Sequence, residues 1–443
     1  MHSLLFTPAD LLKLQRNAFE YFSKTYNPEN GLVADTTRED SPCSIAAVGF
    51  ALSCYPIAVE RGFLSRTEAL KRTLAALRFF HNSEQSARVK ATGHKGFYYH
   101  FLSMKTGQRV WKCELSTIDT TLFFYGALMA AEYFDLDKPE ESEVRELAET
   151  LFARADWRWA CNEKTRVALA WKPELKNRNQ GFLKAHWSGY NEAILLQILA
   201  LGAPEYSLPK SSYVDWCSTY DWKTIYGIET LYAGPLFIHQ FPHLWIDFRS
   251  IRDDAMQSKN CDYVENSRRA TLIQQEYSRR NPRGFVGYNE NCWGITAGDG
   301  PGEKTRAFNG RQQKYFAYRA RGVPFGPDDG TLAPWAVIAS LPFAPEIVLP
   351  ALHHIEKTYP AMTNRFGFHC SFNPSFETQD GYWIAPEYFG IDQGPIVLAM
   401  ENHLSGLPWQ LMRKNRIIQK GLQRAGFTGG WLDSIKLLDE PRA

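Results

Sequence analysis

The sequence predicts an all-α protein built as an (α/α)6 toroid, with six inner and six outer helices, long loops and a short β-hairpin over one end. Two observations predict it. Six apolar helical runs recur along the chain, each behind a short polar or Gly/Pro-marked lead-in, and amphipathic helical stretches alternate with them. A run that is apolar on all sides belongs inside a core, whereas an amphipathic one covers a core with a single face. Alternation of the two kinds suggests paired helices closed into a ring. A length of 443 residues is large for one ordinary domain. No linker or low-complexity stretch divides the chain, so residues 1–443 are expected to form a single domain of this architecture.

The elements follow in order. Residues 8–25 read as a first helix, with Pro8 near its start and an apolar stripe of Leu11, Leu12, Leu14, Phe19 and Phe22. Ser44–Leu52 is the first inner helix, behind Asp40-Ser41-Pro42, and 66–81 its outer neighbour. The turn-rich stretch 92–113 holds the hairpin, between Phe97–Phe101 and Lys105–Gln108. Thr117–Ala131, behind Ser116, reads as inner and 141–155 as outer. Tyr190–Leu201, behind Ser188-Gly189, pairs with 207–220. Ile228–Phe241, behind Tyr226-Gly227, pairs with 251–280. The region 282–330 reads as a long loop, with seven of the chain's 31 glycines between Gly284 and Gly310, and a loop of this length is usually functional. Leu332–Leu341 and 344–358 form the next pair, and an aromatic-rich loop covers 360–391. Pro395–Leu404, behind Asp392-Gln393-Gly394, is the sixth inner helix, and 408–425 closes the ring.

Bulk properties exclude several functions. Fifty basic and 48 acidic residues leave a formal charge of +2, which gives no reason to expect nucleic acid or an anionic membrane as partner. No stretch approaches the ~20 apolar residues of a membrane span. The eight cysteines show no CxxC spacing and read as buried free thiols. The start, Met1 to Asp10, has no basic region and too short an apolar run for a secretory leader. A native start implies a cytoplasmic protein; removal of a leader would imply a periplasmic or secreted one. Neither an HExxH pair nor a DDxxD motif is present, so no metal or cofactor is expected, and no GxSxG elbow or phosphate loop appears. Aromatic residues make up 14% of the chain, and those in Gly/Pro/Asn-rich loops could offer flat faces to sugar rings.

The chemistry is sought in the lead-ins. Ser116-x-x-Asp119 is a capping box, with Ser116 as N-cap and Asp119 in the first helical turn. Glu114, between Cys113 and Leu115, has no such capping role. Glu192 is placed in the first turn of the third inner helix, where the helix dipole favours a carboxylate. Its neighbours Trp187 and Tyr190 and the apolar run beyond would desolvate it and raise its pKa, as a general acid near neutral pH requires. Two carboxyls from adjacent inner helices could flank a glycosidic bond, with retention at ~5 Å separation and inversion at ~6.5–9.5 Å. Asp35, Asp299 and Asp392 fall at the same end; Asp299-Gly300 also reads as a plain turn, and Asp392 as a helix cap.

These residues carry a resemblance. Gly31-Leu-Val-Ala-Asp35, Glu114-Leu-Ser-Thr-Ile-Asp119-Thr, Gly189-Tyr-Asn-Glu192, the block from Pro235 through His239 and Trp245 to Arg249, and Asn291-Cys-Trp-Gly-Ile-Thr-Ala-Gly-Asp299 are similar to the glucoamylase-like family. That family includes the endo-β-1,2-glucanases of glycoside hydrolase family 144 and resembles the related domain of cyclic β-1,2-glucan synthases. The likeness runs from about residue 10 to 430. It implies an (α/α)6 toroid with an acidic, aromatic pocket, action on β-1,2-linked glucan or sophoro-oligosaccharides, and no metal dependence. It implies Glu192 as proton donor, with Glu114 and Asp119 on the water or substrate side. Trp187, Tyr190, His239 and Trp293 are further candidate substrate contacts, as are Tyr382 and Trp383 in the aromatic loop, beside Asp35, Asp299 and Asp392. The expected activity is an inverting glycoside hydrolase with an oligo- or polysaccharide as its partner. The rival readings are a retaining transglycosylase, an exo-acting enzyme that releases disaccharide, a sugar epimerase using His186, His239 and His243, and a non-catalytic sugar-binding toroid.

Overall fold

The computed structural model describes residues 6–435. The first five residues, part of the segment read for a leader, lie outside the described residues. The chain opens with α1 (Pro8–Lys24), whose Thr7 N-cap and Asp10 form a reciprocal capping box. Next come α2 (Ile45–Glu60), α3 (Arg66–Asn82), α4 (Thr117–Tyr133), α5 (Pro139–Ala153), α6 (Trp157–Ala160), α7 (Ile194–Gly202) and α8 (Lys210–Cys217). The second half supplies α9 (Pro242–Trp245), α10 (Asp254–Gln257), α11 (Tyr263–Arg280), α12 (Pro334–Ala339), α13 (Pro345–Thr358), α14 (Gly390–Leu404), α15 (Leu407–Lys414) and α16 (Arg416–Ala425).

The helices form the expected toroid. α2 is buried from Ile45 through Ala58 and packs between α4 and α14. α4, α7 and α12 are likewise buried along almost their whole length. Glycine permits the tightest of these approaches: a Cβ on Gly126 of α4 would lie 2.1 Å from the Gly49 carbonyl oxygen of α2. α1, α3, α5, α11 and α13 lie outside with their apolar stripes turned inward. The outer partner of α7 is α16, from the C-terminal segment, rather than the 207–220 stretch that follows it in sequence.

The fourth inner element differs from the expected helix. Instead of one helix over Ile228–Phe241, the chain makes a hairpin, a 3-10 turn at Leu236–His239 and the single turn α9. Tyr226 and Gly227, at φ 54° and 80°, supply the two left-handed positions of a tight hairpin turn. Pro235 and Pro242 then deprive any continuous helix of two donors. Trp245 still fills the ring's centre, stacked on Phe50 and bonded through Nε1 to Ser53 Oγ at 2.9 Å. α14 starts five residues earlier than expected, so Asp392 lies inside its first turn rather than in front of it.

Short strands cover one end. The Phe97–Phe101 segment does not pair with Lys105–Gln108 as one hairpin. Phe97–Tyr99 joins a four-stranded sheet with Gly93–His94, Leu115–Ser116 and Ala170–Trp171, while Phe101–Leu102 pairs with Cys43–Ser44. The loops at 282–330 and 360–391 carry their own ribbons, Lys304–Phe308 with Arg311–Tyr315 and Phe372–Thr378 with Gly381–Ile384. All eight cysteines are free, and all but Cys217 are buried. Among the described residues, no helix is long and apolar enough to cross a membrane.

Candidate active site

The N-terminal ends of the inner helices meet around one cavity of about 520 Å³. Ser44 comes from the start of α2, Ile118, Asp119 and Leu122 from α4, Trp335 from α12, and Ile391 and Asp392 from α14. Phe237 and Phe241 come from the broken fourth element, and Glu192 from the turn before α7. The wall is largely aromatic and aliphatic, and five carboxylates project into it: Asp35, Glu114, Asp119, Glu192 and Asp392. Apolar faces with a few convergent polar groups are the usual character of a small-molecule site.

Glu192 lies two residues ahead of the first helical residue of α7, not within the helix as the sequence suggested. The Asn191 and Glu192 carbonyls accept from Ile194 and Leu195 and lead the chain into the helix. Burial, reinforced by the Asp119 charge, pushes the Glu192 carboxyl up to about 7. Asp35 is pushed up to about 6 by burial, and Asp392 to about 8 by burial together with Asp299 and Asp35.

Glu114 behaves in the opposite way. The imidazole Nδ1 of His100 lies 2.9 Å from its Oε1 and 3.6 Å from Asp119 Oδ2. That hydrogen bond outweighs burial and holds the Glu114 carboxyl at about 2. Burial opposes the charge on His100, but Asp119, Glu114 and Asp35 together raise it to about 9. The site therefore keeps Glu114 ionised beside a cation, while Glu192 and Asp392 hold their protons up to neutrality. Ser116 accepts from the Asp119 N–H at 3.1 Å, the N-cap half of the expected capping box, and its hydroxyl donates to Asp119 Oδ2, so Asp119 is at once a cap partner and a cavity residue.

Other sequence candidates fall elsewhere. Tyr190 is buried in core packing, its ring stacked on Tyr263 and tilted against His239. His239 is buried with its Nε2 3.2 Å from the Ala233 carbonyl, and Trp293 is fully buried. None of these three lines the cavity, because each points into the packing behind it. Trp187 donates to Thr117 Oγ1 at 3.0 Å, next to the start of α4 but outside the lining. Tyr382 packs on Tyr359 and Phe372, and Trp383 sits opposite Asn373 on the same ribbon, again outside it. Asp299 is half-buried near the acids, and its charge helps raise Asp35 and Asp392. His243 is buried behind the ring and bonded to Ser267, which removes a histidine that an epimerase would need at the cavity.

Sequence reasoning missed His100, Tyr318, Trp335 and the phenylalanines of the fourth element. His100 had a signal: it is the one readily titratable residue in the aromatic run Phe97–Phe101. Tyr318 had none, since only the tertiary fold carries its loop over the acids. Among the described residues, no three His, Cys, Asp or Glu side chains are arranged to hold a metal ion.

Residues 184–416, more than half of the chain, match the Glycoamylase family model, described as "Putative glucoamylase". The chain belongs to this family. It is 27% identical over 453 aligned positions to the exo beta-1,2-glucooligosaccharide sophorohydrolase (non-reducing end) of Parabacteroides distasonis. That alignment covers 94% of this chain and 58% of the relative, so this chain spans little more than half of that protein's length. Among solved structures, a putative glucoamylase from Bacteroides uniformis superposes with a TM-score of 0.84 at 28% identity, over 97% of this chain and 99% of the other. The endo-beta-1,2-glucanase of Chitinophaga pinensis, solved with sophorotriose and glucose, shares the fold at a TM-score of 0.81 and 24% identity, over 96% of this chain and 99% of the other. The glucoamylase-like toroid read from the sequence is thus shared across these proteins.

Proposed function

We propose that this glucoamylase-like chain is a glycoside hydrolase that cleaves β-1,2-linked glucan or sophoro-oligosaccharides, with Glu192 as general acid. The observation that carries this reading is the pairing of a carboxyl held at about 7 with a carboxylate held at about 2 in one apolar cavity. Environments that push two carboxyls apart in this way assign acid and anionic roles. The sophorohydrolase activity named for the 27% identical relative supports the β-1,2 linkage.

In the proposed step, Glu192 gives its proton to the glycosidic oxygen as the bond from that oxygen to the anomeric carbon breaks. A water attacks that carbon from the opposite face and passes a proton to the Glu114 and Asp119 side, which inverts the anomer. The Glu114 carboxylate stabilises the positive charge that develops on the sugar ring. Glu114, Asp119, Asp35 and Asp392 also offer acceptors to sugar hydroxyls, and Phe101, Phe241 and Trp335 offer flat faces.

The test is incubation with linear β-1,2-glucan and with sophoro-oligosaccharides, using laminarin and starch as controls. Reducing ends are expected from the β-1,2-linked substrates alone, and the first product is expected as the α-anomer by NMR. Product chromatography separates stepwise release of sophorose, the activity named for the relative, from internal cutting. Equal activity on starch, or none on any β-1,2-glucan, would overturn the reading.

A further inference from the structure

Trp111 is the most exposed large apolar side chain among the described residues, at 68%. Its backbone and that of Lys112 both lie in the left-handed region, at φ 56° and 51°. Bulky side chains rarely adopt that region, and it persists only where the surroundings over-determine it. Here they do. The Val110 N–H donates to the Phe101 carbonyl at 3.1 Å, and the Cys113 N–H closes the turn onto Val110 at 3.1 Å. The buried Arg109 donates to the Cys113 carbonyl at 2.6 Å and is itself paired with Glu174, while Lys172 reaches the Lys112 carbonyl at 3.1 Å. A rigid, strained turn thus presents an indole to solvent that the core does not use.

The turn is continuous with the cavity. The Trp111 ring lies 5.2 Å from Phe101, and Phe101 stacks at 3.9 Å on His100; both of these residues line the cavity. Two residues further along the chain from Lys112 is Glu114. Tyr318, which lines the same cavity, is also exposed, at 59%.

We propose that Trp111 is the platform of an outer sugar subsite, which stacks a glucosyl unit of the substrate where the chain leaves the cavity past Phe101. The occupant is a glucosyl ring because the surface is a single flat aromatic face joined to a cavity of acids, and a ring with an apolar face and polar edges matches both. This proposal rests on the glycosidase reading above and specifies how that site measures chain length.

The experiment uses sophoro-oligosaccharides of increasing length on the wild type, Trp111→Ala and Trp111→Tyr. Calorimetric binding is measured in a Glu192→Gln background and kinetics in the active enzyme. In Trp111→Ala, dissociation constants and KM should rise by about tenfold for the longer oligosaccharides, the size of one aromatic contact. The loss should shrink towards sophorose, and Trp111→Tyr should recover most of it. Equal affinity of wild type and Trp111→Ala at every length overturns the subsite while leaving the hydrolase reading standing. If Trp111→Ala instead changes only the oligomeric state seen by light scattering, the indole serves a contact between copies and the proposal falls. If neither background binds any β-1,2-linked oligosaccharide, both readings fall.

Discussion

His100→Ala shows what the imidazole does for the site. Alanine removes both the hydrogen bond to Glu114 and the positive charge. In the intact site that partner holds Glu114 at about 2, against an ordinary value of 4.5. Burial acts in the opposite direction and is no longer offset by the cation. Glu114 should therefore titrate back towards its ordinary 4.5 in the variant, a rise of up to about two pH units. Asp35, which His100 also holds down, should rise above about 6. At pH 5 the wild-type carboxylate stays fully ionised, whereas a substantial fraction of the variant is protonated and inactive. The assay is kcat and KM on sophoro-oligosaccharides from pH 4 to 9, with a melting curve at each pH to exclude unfolding. The acid limb should move up by about two pH units, and kcat at pH 5 should fall more than KM changes. An acid limb that superimposes on the wild type, with undiminished kcat at pH 5, would refute this account of His100.

Three further outcomes are expected. Glu192→Gln should lower kcat by roughly 10²–10⁴-fold, the contribution of a positioned general acid, while calorimetry still detects oligosaccharide binding; the basic limb near pH 7 seen in the wild-type kcat/KM should be absent from its residual rate. Thermal stability should fall as pH rises from about 6.5 to 9: Glu192, Asp392 and His100 hold protons more tightly folded than unfolded, so each loses its stabilising proton as pH passes its folded value, whereas below 6.5 His94, His239 and His243, kept neutral by burial, act in the opposite direction. Glu114 loses its contribution only as pH falls from 4.5 through about 2; a melting temperature that climbs steadily between pH 7 and 9 would contradict the assignment. Gly126→Ala should cost about 1–3 kcal/mol in urea unfolding, because the added methyl meets the Gly49 backbone of α2 rather than a side chain that can move aside.

Much of this protein is legible along the chain. Ser44–Leu52 and Thr117–Ala131 could only be core helices, since no face of either is polar, and both are found buried. Ser116 and Asp119 cap a helix because their spacing matches the geometry of its first turn. Glu192, Glu114, Asp119, Asp35 and Asp392 were chosen from lead-in segments, and all five line one cavity, because inner helices that run the same way bring their starts to the same end.

The fourth inner element and the electrostatics were not legible. Ile228–Phe241 has the composition of a helix, but Tyr226-Gly227 turns a hairpin and Pro235 and Pro242 interrupt the ladder, and Trp245 fills the space that a helix would have taken. Trp293, Tyr190 and His239 share segments with genuine cavity residues, yet their side chains point into the packing behind.

By itself, the order of residues determined which segments coil, where they begin and which acids stand at those beginnings, since each of these depends on neighbours within a few positions. Only the closed ring decided which acid keeps its proton. That choice is made by His100 beside Glu114, by the dry wall around Glu192 and by charges from several helices, and such forces act between groups that are near in space and remote along the chain.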